Sequence, residues 1–174
     1  MSQTPGQVGI QAAAVISGSF LSDQQRSPQA ERITGAMMSI SLITIPVLLD
    51  TSTQSRPLLD QFVTLYDYGH KIMPTLSVGT CALYLFIASR KRALDLPWPI
   101  YGLAAASTIS IVPFTWIFMT PTNNALFAMH AASEPDFQEA RELSVRWQWL
   151  HVIRSLFPLV GAVIGWRGLR ASLG

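Results

Sequence analysis

Long runs without charge constrain this chain more than any other feature. Ile33–Leu49 is uncharged over 17 residues, Ile72–Ala88 over 17 and Trp98–Met119 over 22. A fourth run, Trp147–Trp166, is 20 residues long, and His151 and Arg154 are its only ionisable groups. A helix needs about 17–25 apolar residues to cross the ~30 Å hydrocarbon core of a bilayer. In lipid such a helix satisfies its backbone N–H and C=O groups within one segment. The expected fold is therefore all-α, a four-helix transmembrane bundle running up-down-up-down, with spans at about 33–49, 72–88, 98–119 and 147–166. Trp98 and Tyr101 open the third run, and Trp147, Trp149 and Trp166 bracket the fourth, as interfacial anchors do.

The remaining segments are shorter or more polar. Val8–Leu21 is apolar over only 14 residues, which suits an interfacial or re-entrant piece better than a span. Pro135–Val145 (PDFQEARELSV) is charged and rich in helix formers, and reads as a short surface helix leading into the fourth span. The chain divides into an N-terminal apolar segment with a polar stretch, 1–34, and a membrane domain, 35–174.

Composition agrees with a membrane protein. Charged residues make up 13% of the 174, about half the share usual in soluble domains. A net charge of +2, without a basic face interleaved with aromatics, argues against nucleic acid as a partner. Cys81 is the only cysteine, which excludes an intrachain disulfide and a CxxC pair. The start, MSQTPGQVGI, lacks the basic region of a cleaved signal peptide.

The basic residues set the orientation. Four spans put Arg26, Arg32, Arg90, Lys91, Arg92, Arg167 and Arg170 on one side, and Arg56, Lys71, Arg141 and Arg146 on the other. The positive-inside rule then assigns both termini and the 89–97 loop to the cytosol, with Thr51–His70 and Thr120–Arg146 lumenal. The protein is expected in the endoplasmic reticulum or a related endomembrane.

An ionisable side chain inside a span is costly, faces the protein interior as a rule, and marks a candidate functional site. At 100° per residue, Trp147, His151, Arg154, Pro158, Gly161 and Gly165 fall within about 40° of one line on a helix. Pro158 frees the carbonyl of Arg154, and Gly161 and Gly165 suit close helix packing. His70 precedes the second span, Trp116 lies near the end of the third, and Asn123 lies just past it. In an up-down bundle these positions meet His151 and Arg154 at one end, as a polar pocket between helices would require. Each also admits a structural reading. His151 suits a core histidine on a backbone carbonyl, and Arg154 an ion-pair partner for Asp67 or Glu142. His70, Trp116 and Trp147 suit interfacial anchors. His130 reads as a loop residue.

No metal site is expected, because His70, His130 and His151 share no ligand-type spacing and the spans hold no carboxylate. No glycine-rich nucleotide motif, haem or flavin signature or GxSxG elbow occurs.

Three segments carry a resemblance: WQWLHVIRSLFPLVGA (147–162), PFTWIFMTPTNNAL (113–126) and DYGHKIMP (67–74). Together with GAMMSISLITIPVLLDT (35–51) they resemble, in order and over nearly the whole chain, the small membrane proteins of the fungal anthrone oxygenase family. The W-x2-L-H-x2-R segment followed by S-L-F-P-L is the most specific part. One departure is visible: polar residues 23–34 stand where the family runs from Leu21-Ser22 almost directly into Gly35. The resemblance implies oxidation of a polyketide anthrone to an anthraquinone by O2, without a recognised cofactor. It also implies a functional link to a non-reducing polyketide synthase.

Such chemistry needs a base, oxyanion donors and an apolar slot that excludes water. His151 is the expected base, with His70 as second candidate. Arg154 and Asn123 are expected to stabilise the developing oxyanion, and Trp116 and Trp147 to stack on the planar substrate. Two other functions fit the same residues. One is a non-enzymatic membrane scaffold or transporter-like protein, whose core would be filled at the level of His151. The other is a related base-catalysed isomerase or dehydratase, which would need no oxygen.

Overall fold

The computed structural model describes residues 37–172, and these are helical with short connections. The helices are α1 (Met37–Thr51), α2 (Ser55–Arg92), α3 (Pro99–Ala131) and α4 (Phe137–Arg170). No strand occurs among the described residues, in accord with the all-α expectation. Three of the helices, α2, α3 and α4, are long and apolar enough to cross a membrane, and α1 is a shorter apolar helix. Connections at 52–54, 93–98 and 132–136 are short enough to make successive helices antiparallel neighbours. The arrangement is compatible with the expected four-helix bundle, and α4 touches the other three helices. Val8–Leu21, the polar stretch 23–34 and the start of the first span lie outside the described residues.

The helices extend well beyond the apolar runs. The segment Thr51–His70, read as a loop, is mostly the first part of α2, and α3 continues through Thr120 to Ala131. Pro135–Val145 is not a separate surface helix but opens α4. The reason is physical: Asp, Glu and Arg end a lipid-compatible run without ending a helix, and Glu and Arg are good helix formers in water. Asp136 caps α4, its side chain accepting from the Glu139 N–H at 2.7 Å.

Two arginines tie down the helix ends here. Arg56 donates to the carbonyls of His130 (2.9 Å), Ala132 (2.6 Å) and Ser133 (3.2 Å) at the C-terminus of α3. Arg141 donates to the Leu49 carbonyl at 2.7 Å, near the end of α1. Both place a cation where a helix leaves carbonyls unpaired.

One buried face of α4 runs Ala140, Ser144, Trp147, His151, Ser155, Pro158, Gly161, Gly165 and Gly168, a residue every three or four positions. Its glycine half packs tightly. A Cβ on Gly161 would lie 2.9 Å from the Ala104 carbonyl oxygen, one on Gly165 2.6 Å from the Tyr84 ring, and one on Gly168 2.8 Å from Ile100. Small residues thus let α4 approach α2 and α3, as the stripe predicted. Cys81 is buried as a packing residue. The other half of the stripe joins a core of Leu58, Leu59, Phe62, Met119, Leu126 and Ala140. Large apolar side chains such as Leu42, Val78, Phe86 and Val163 face outward, as in a helix surrounded by lipid.

Prolines shape α1 and α3. In each helix the residue just before a proline donates its N–H five residues back: Ile45 to Ile40 O before Pro46, and Thr120 to Thr115 O before Pro121. Proline lacks an N–H, and its ring crowds the carbonyl four residues earlier. A single π-turn, with one extra residue, relieves that crowding. The two turns are Ile40–Thr44 and Thr115–Met119, and single π-turns of this kind recur at functional sites.

Candidate active site

Trp147 and His151, one turn apart on α4, stack with ring centroids 4.6 Å apart and planes 26° apart. Phe62 of α2 meets the Trp147 ring edge-on at 5.2 Å. The Trp147 Nε1–H donates to Asn123 Oδ1 at 2.9 Å. An indole N–H only donates, so the Asn123 oxygen must face Trp147 and its NH2 must face the other way. That NH2 reaches Tyr66 Oη at 3.5 Å, which leaves most of its donor capacity free. Trp147 and Asn123 are each 4% exposed and His151 is 2% exposed.

A second stacked pair lies on α2. The Tyr66 and His70 rings are 5.3 Å apart and 13° from parallel, and Phe127 of α3 meets Tyr66 edge-on. His70 Nδ1 lies 3.1 Å from the Tyr66 carbonyl. A carbonyl only accepts, so Nδ1 carries a proton, and in the neutral ring Nε2 is the acceptor.

The polar partners of His151 and Arg154 both come from the π-turns. Ser41 Oγ of α1 lies 2.8 Å from His151 Nδ1. Thr115 Oγ1 of α3 accepts from the Arg154 guanidinium at 3.3 Å. The Arg154 Nε–H is buried and has no partner among the described residues. Neither Asp67 nor Glu142 pairs with Arg154, so the structural ion pair considered for it is absent among the described residues. Arg154 lies 13 residues before Arg167, about 20 Å along the helix from the basic end.

Tyr66, His70, Thr115, Asn123, Trp147, His151 and Arg154 line a cavity of about 450 Å³ between the four helices. Ligand pockets commonly span about 300–1,000 Å³. All six residues singled out from the sequence, His70, Trp116, Asn123, Trp147, His151 and Arg154, line it. They do not occupy equal places. Trp147, Asn123 and His151 form the buried wall, while His70 is exposed and Trp116, 73% exposed, sits at the rim. His130 is elsewhere, 2.9 Å from Asp60 at the end of α3. Three contributors went unnoticed in the sequence: Ser41, Tyr66 and Thr115. Tyr66 had a signal, since it stands one helical turn before His70. Ser41 and Thr115 had none, because a hydroxyl inside a helix ordinarily bonds to its own backbone.

The arrangement offers an apolar slot with an imidazole, an amide NH2 and a guanidinium that has no counter-ion among the described residues. It can hold a flat, mostly apolar molecule and stabilise negative charge on its oxygen. Comparison with known proteins gives this chemistry a family. A family model described as Anthrone oxygenase matches residues 62–164, a span that contains all six residues. The anthrone oxygenase gedH of Aspergillus terreus is 54% identical over 83% of this chain and 96% of its own length. An anthrone oxygenase of Cryptosporiopsis sp. is 47% identical over 98% and 94%. The anthrone oxygenase tpcL of Aspergillus fumigatus is 49% identical over 96% and 97%. No solved structure matches the chain. Identities of this size over nearly full length, together with the family match across the cavity, establish that the chain belongs to the anthrone oxygenase family.

Proposed function

We propose that this protein is a membrane oxygenase that converts a polyketide anthrone to the anthraquinone with O2 and no cofactor. The observation that carries the reading is the cavity itself: a buried histidine beside an arginine that has no counter-ion among the described residues, in a slot of about 450 Å³. Relatives that bear the name anthrone oxygenase supply the substrate class.

The substrate lies against Trp147, with Trp116 at the rim. An anthrone carries an acidic CH2 opposite its ketone. His151, as the neutral imidazole, takes the first methylene proton. Charge moves to the ketone oxygen, where the Arg154 guanidinium and the Asn123 NH2 stabilise it. The electron-rich anion reduces O2 and forms a C–O bond. The peroxide oxygen takes the proton back from His151. His151 then removes the second proton from that carbon as the O–O bond breaks. One oxygen atom stays as the quinone carbonyl and the other leaves as water. His70, whose Nε2 can accept, is the alternative base.

The volume favours this reading over a scaffold, whose core would be filled at the His151 level. An apolar substrate reaches the rim from the bilayer. A partner synthase of the non-reducing class supplies the polyketide, and an endomembrane such as the endoplasmic reticulum is the proposed location.

The test is quinone formation from an anthrone in membranes that hold the protein, measured above spontaneous air oxidation. His151→Ala and Arg154→Ala should abolish the enzymatic excess. Wild-type rates equal to empty membranes would refute the enzyme reading. With 18O2, one labelled atom should enter the quinone; its absence would point to isomerase or dehydratase chemistry instead.

A further inference from the structure

We propose that Ser41 is a positioning residue that fixes the tautomer of His151, with the proton on Nδ1 and the Nε2 lone pair free for the substrate. This inference rests on the reading of His151 as the base.

Ser41 is fully buried and belongs to the π-turn of α1. Its Oγ has two neighbours, His151 Nδ1 at 2.8 Å and the Met37 carbonyl oxygen at 3.4 Å. A hydroxyl has one hydrogen to give, and a carbonyl can only accept. A serine inside a helix ordinarily gives that hydrogen to the carbonyl four residues back, which here is Met37. Oγ is then left as an acceptor, and the group that faces it must donate. His151 therefore carries its proton on Nδ1. A neutral imidazole has one N–H, so Nε2 is left with a lone pair. Among the described residues Nε2 has no hydrogen-bond partner, and His151 lines the cavity.

The opposite arrangement would have Ser41 donate to Nδ1. Nε2 would then carry the hydrogen, and His151 could not take a proton from the substrate. A single hydroxyl thus separates a competent base from an incompetent one. When Nε2 takes the methylene proton, the C–H bond breaks and its electron pair stays on the anthrone. Nδ1–H remains bonded to Ser41 Oγ, and no proton passes to the serine. Trp147 stacks on the imidazole face, so the ring is held both in its plane and against rotation.

The chain has only three histidines, so 15N-histidine spectra of the full-length protein in lipid nanodiscs are tractable. A His151→Gln sample identifies the His151 signals. In the wild type Nδ1 should resonate as a protonated, pyrrole-type nitrogen and Nε2 as a pyridine-type nitrogen. Ser41→Ala should lose that preference and lower kcat by about 10- to 100-fold with KM little changed, the range seen when a partner that orients a histidine is removed. Ser41→Thr, which keeps the hydroxyl, should retain the wild-type tautomer. A pyridine-type Nδ1 in the wild type would overturn the inference whatever the variants do. Full turnover in Ser41→Ala beside an inactive His151→Gln would overturn it alone. Full turnover in His151→Gln would overturn the base assignment and this inference with it.

Discussion

Replacing Gly161 by alanine sets two effects of opposite sign against each other. Alanine is the better helix former, by about 0.8–1.0 kcal/mol over glycine in a helix interior. The new methyl, however, would lie 2.9 Å from the Ala104 carbonyl oxygen and 3.4 Å from the Thr108 N, both backbone atoms of α3. Non-bonded carbon contacts settle near about 3.5–4.0 Å, so the two helices must part by about half an ångström or more. Thr108 Oγ1 is closer still and is held there by its bond to Ala104 O at 2.9 Å. Moving it aside would break that bond. Overpacking of this kind costs about 1–3 kcal/mol, so the net effect is a loss of up to about 2 kcal/mol. Gly79 of α2 is the matched control, because a methyl there meets nothing within 4 Å. Gly79→Ala should be neutral or gain up to about 1 kcal/mol from helix propensity alone. Unfolding both variants from mild detergent with increasing SDS gives their midpoints relative to wild type. The Gly161→Ala midpoint should fall below both wild type and Gly79→Ala. If Gly161→Ala proved as stable as Gly79→Ala, the close approach of α3 and α4 at this level would be refuted.

Other perturbations test the site and its frame. Trp147→Phe keeps a ring but strips the N–H from buried Asn123 Oδ1. It should lower the SDS midpoint by the equivalent of about 1–3 kcal/mol and slow quinone formation. Arg154→Met should lower kcat by about 10²–10³, as loss of an oxyanion donor does, while SDS unfolding shows no loss of stability, because the residue removed is a partly buried cation with no ion pair among the described residues. Arg56→Gln should free the carbonyls at His130, Ala132 and Ser133, so that backbone amides of the 131–136 connection exchange with deuterium faster than in wild type.

The sequence disclosed different parts of this structure to different depths. The stripe through Trp147, His151 and Arg154 depends only on spacing along a helix, and so it was legible without coordinates. The meeting of His70, Trp116 and Asn123 with that stripe followed from alternating spans of similar length. Helix ends were poorly legible, because Asp60, Asp67 and Glu139 mark the limit of lipid and not the limit of a helix. Trp116 was expected to stack on the substrate, and an aromatic near a span end says nothing of how deep in a cavity it stands; here it lies at the rim. Ser41 and Thr115 were hidden for another reason. Pro46 and Pro121 are plain in the sequence, but the extra residue each brings into the preceding turn is a packing response. Only that response decides which hydroxyl meets α4.

Trp116 belongs to the cavity lining and to the outer surface at once. On the proposed membrane placement, a slot with Trp116 at its rim would have the bilayer as its solvent. The effective concentration of an anthrone would then be its mole fraction among lipids, set by partitioning and not by aqueous solubility. Adding inert lipid at constant protein and substrate would dilute the reaction in two dimensions. Acyl chains and detergent tails would compete for the same opening, so a Michaelis constant measured in micelles would describe the micelle as much as the enzyme. The quinone would return to the phase that delivered its precursor, and its clearance from the membrane would govern sustained turnover.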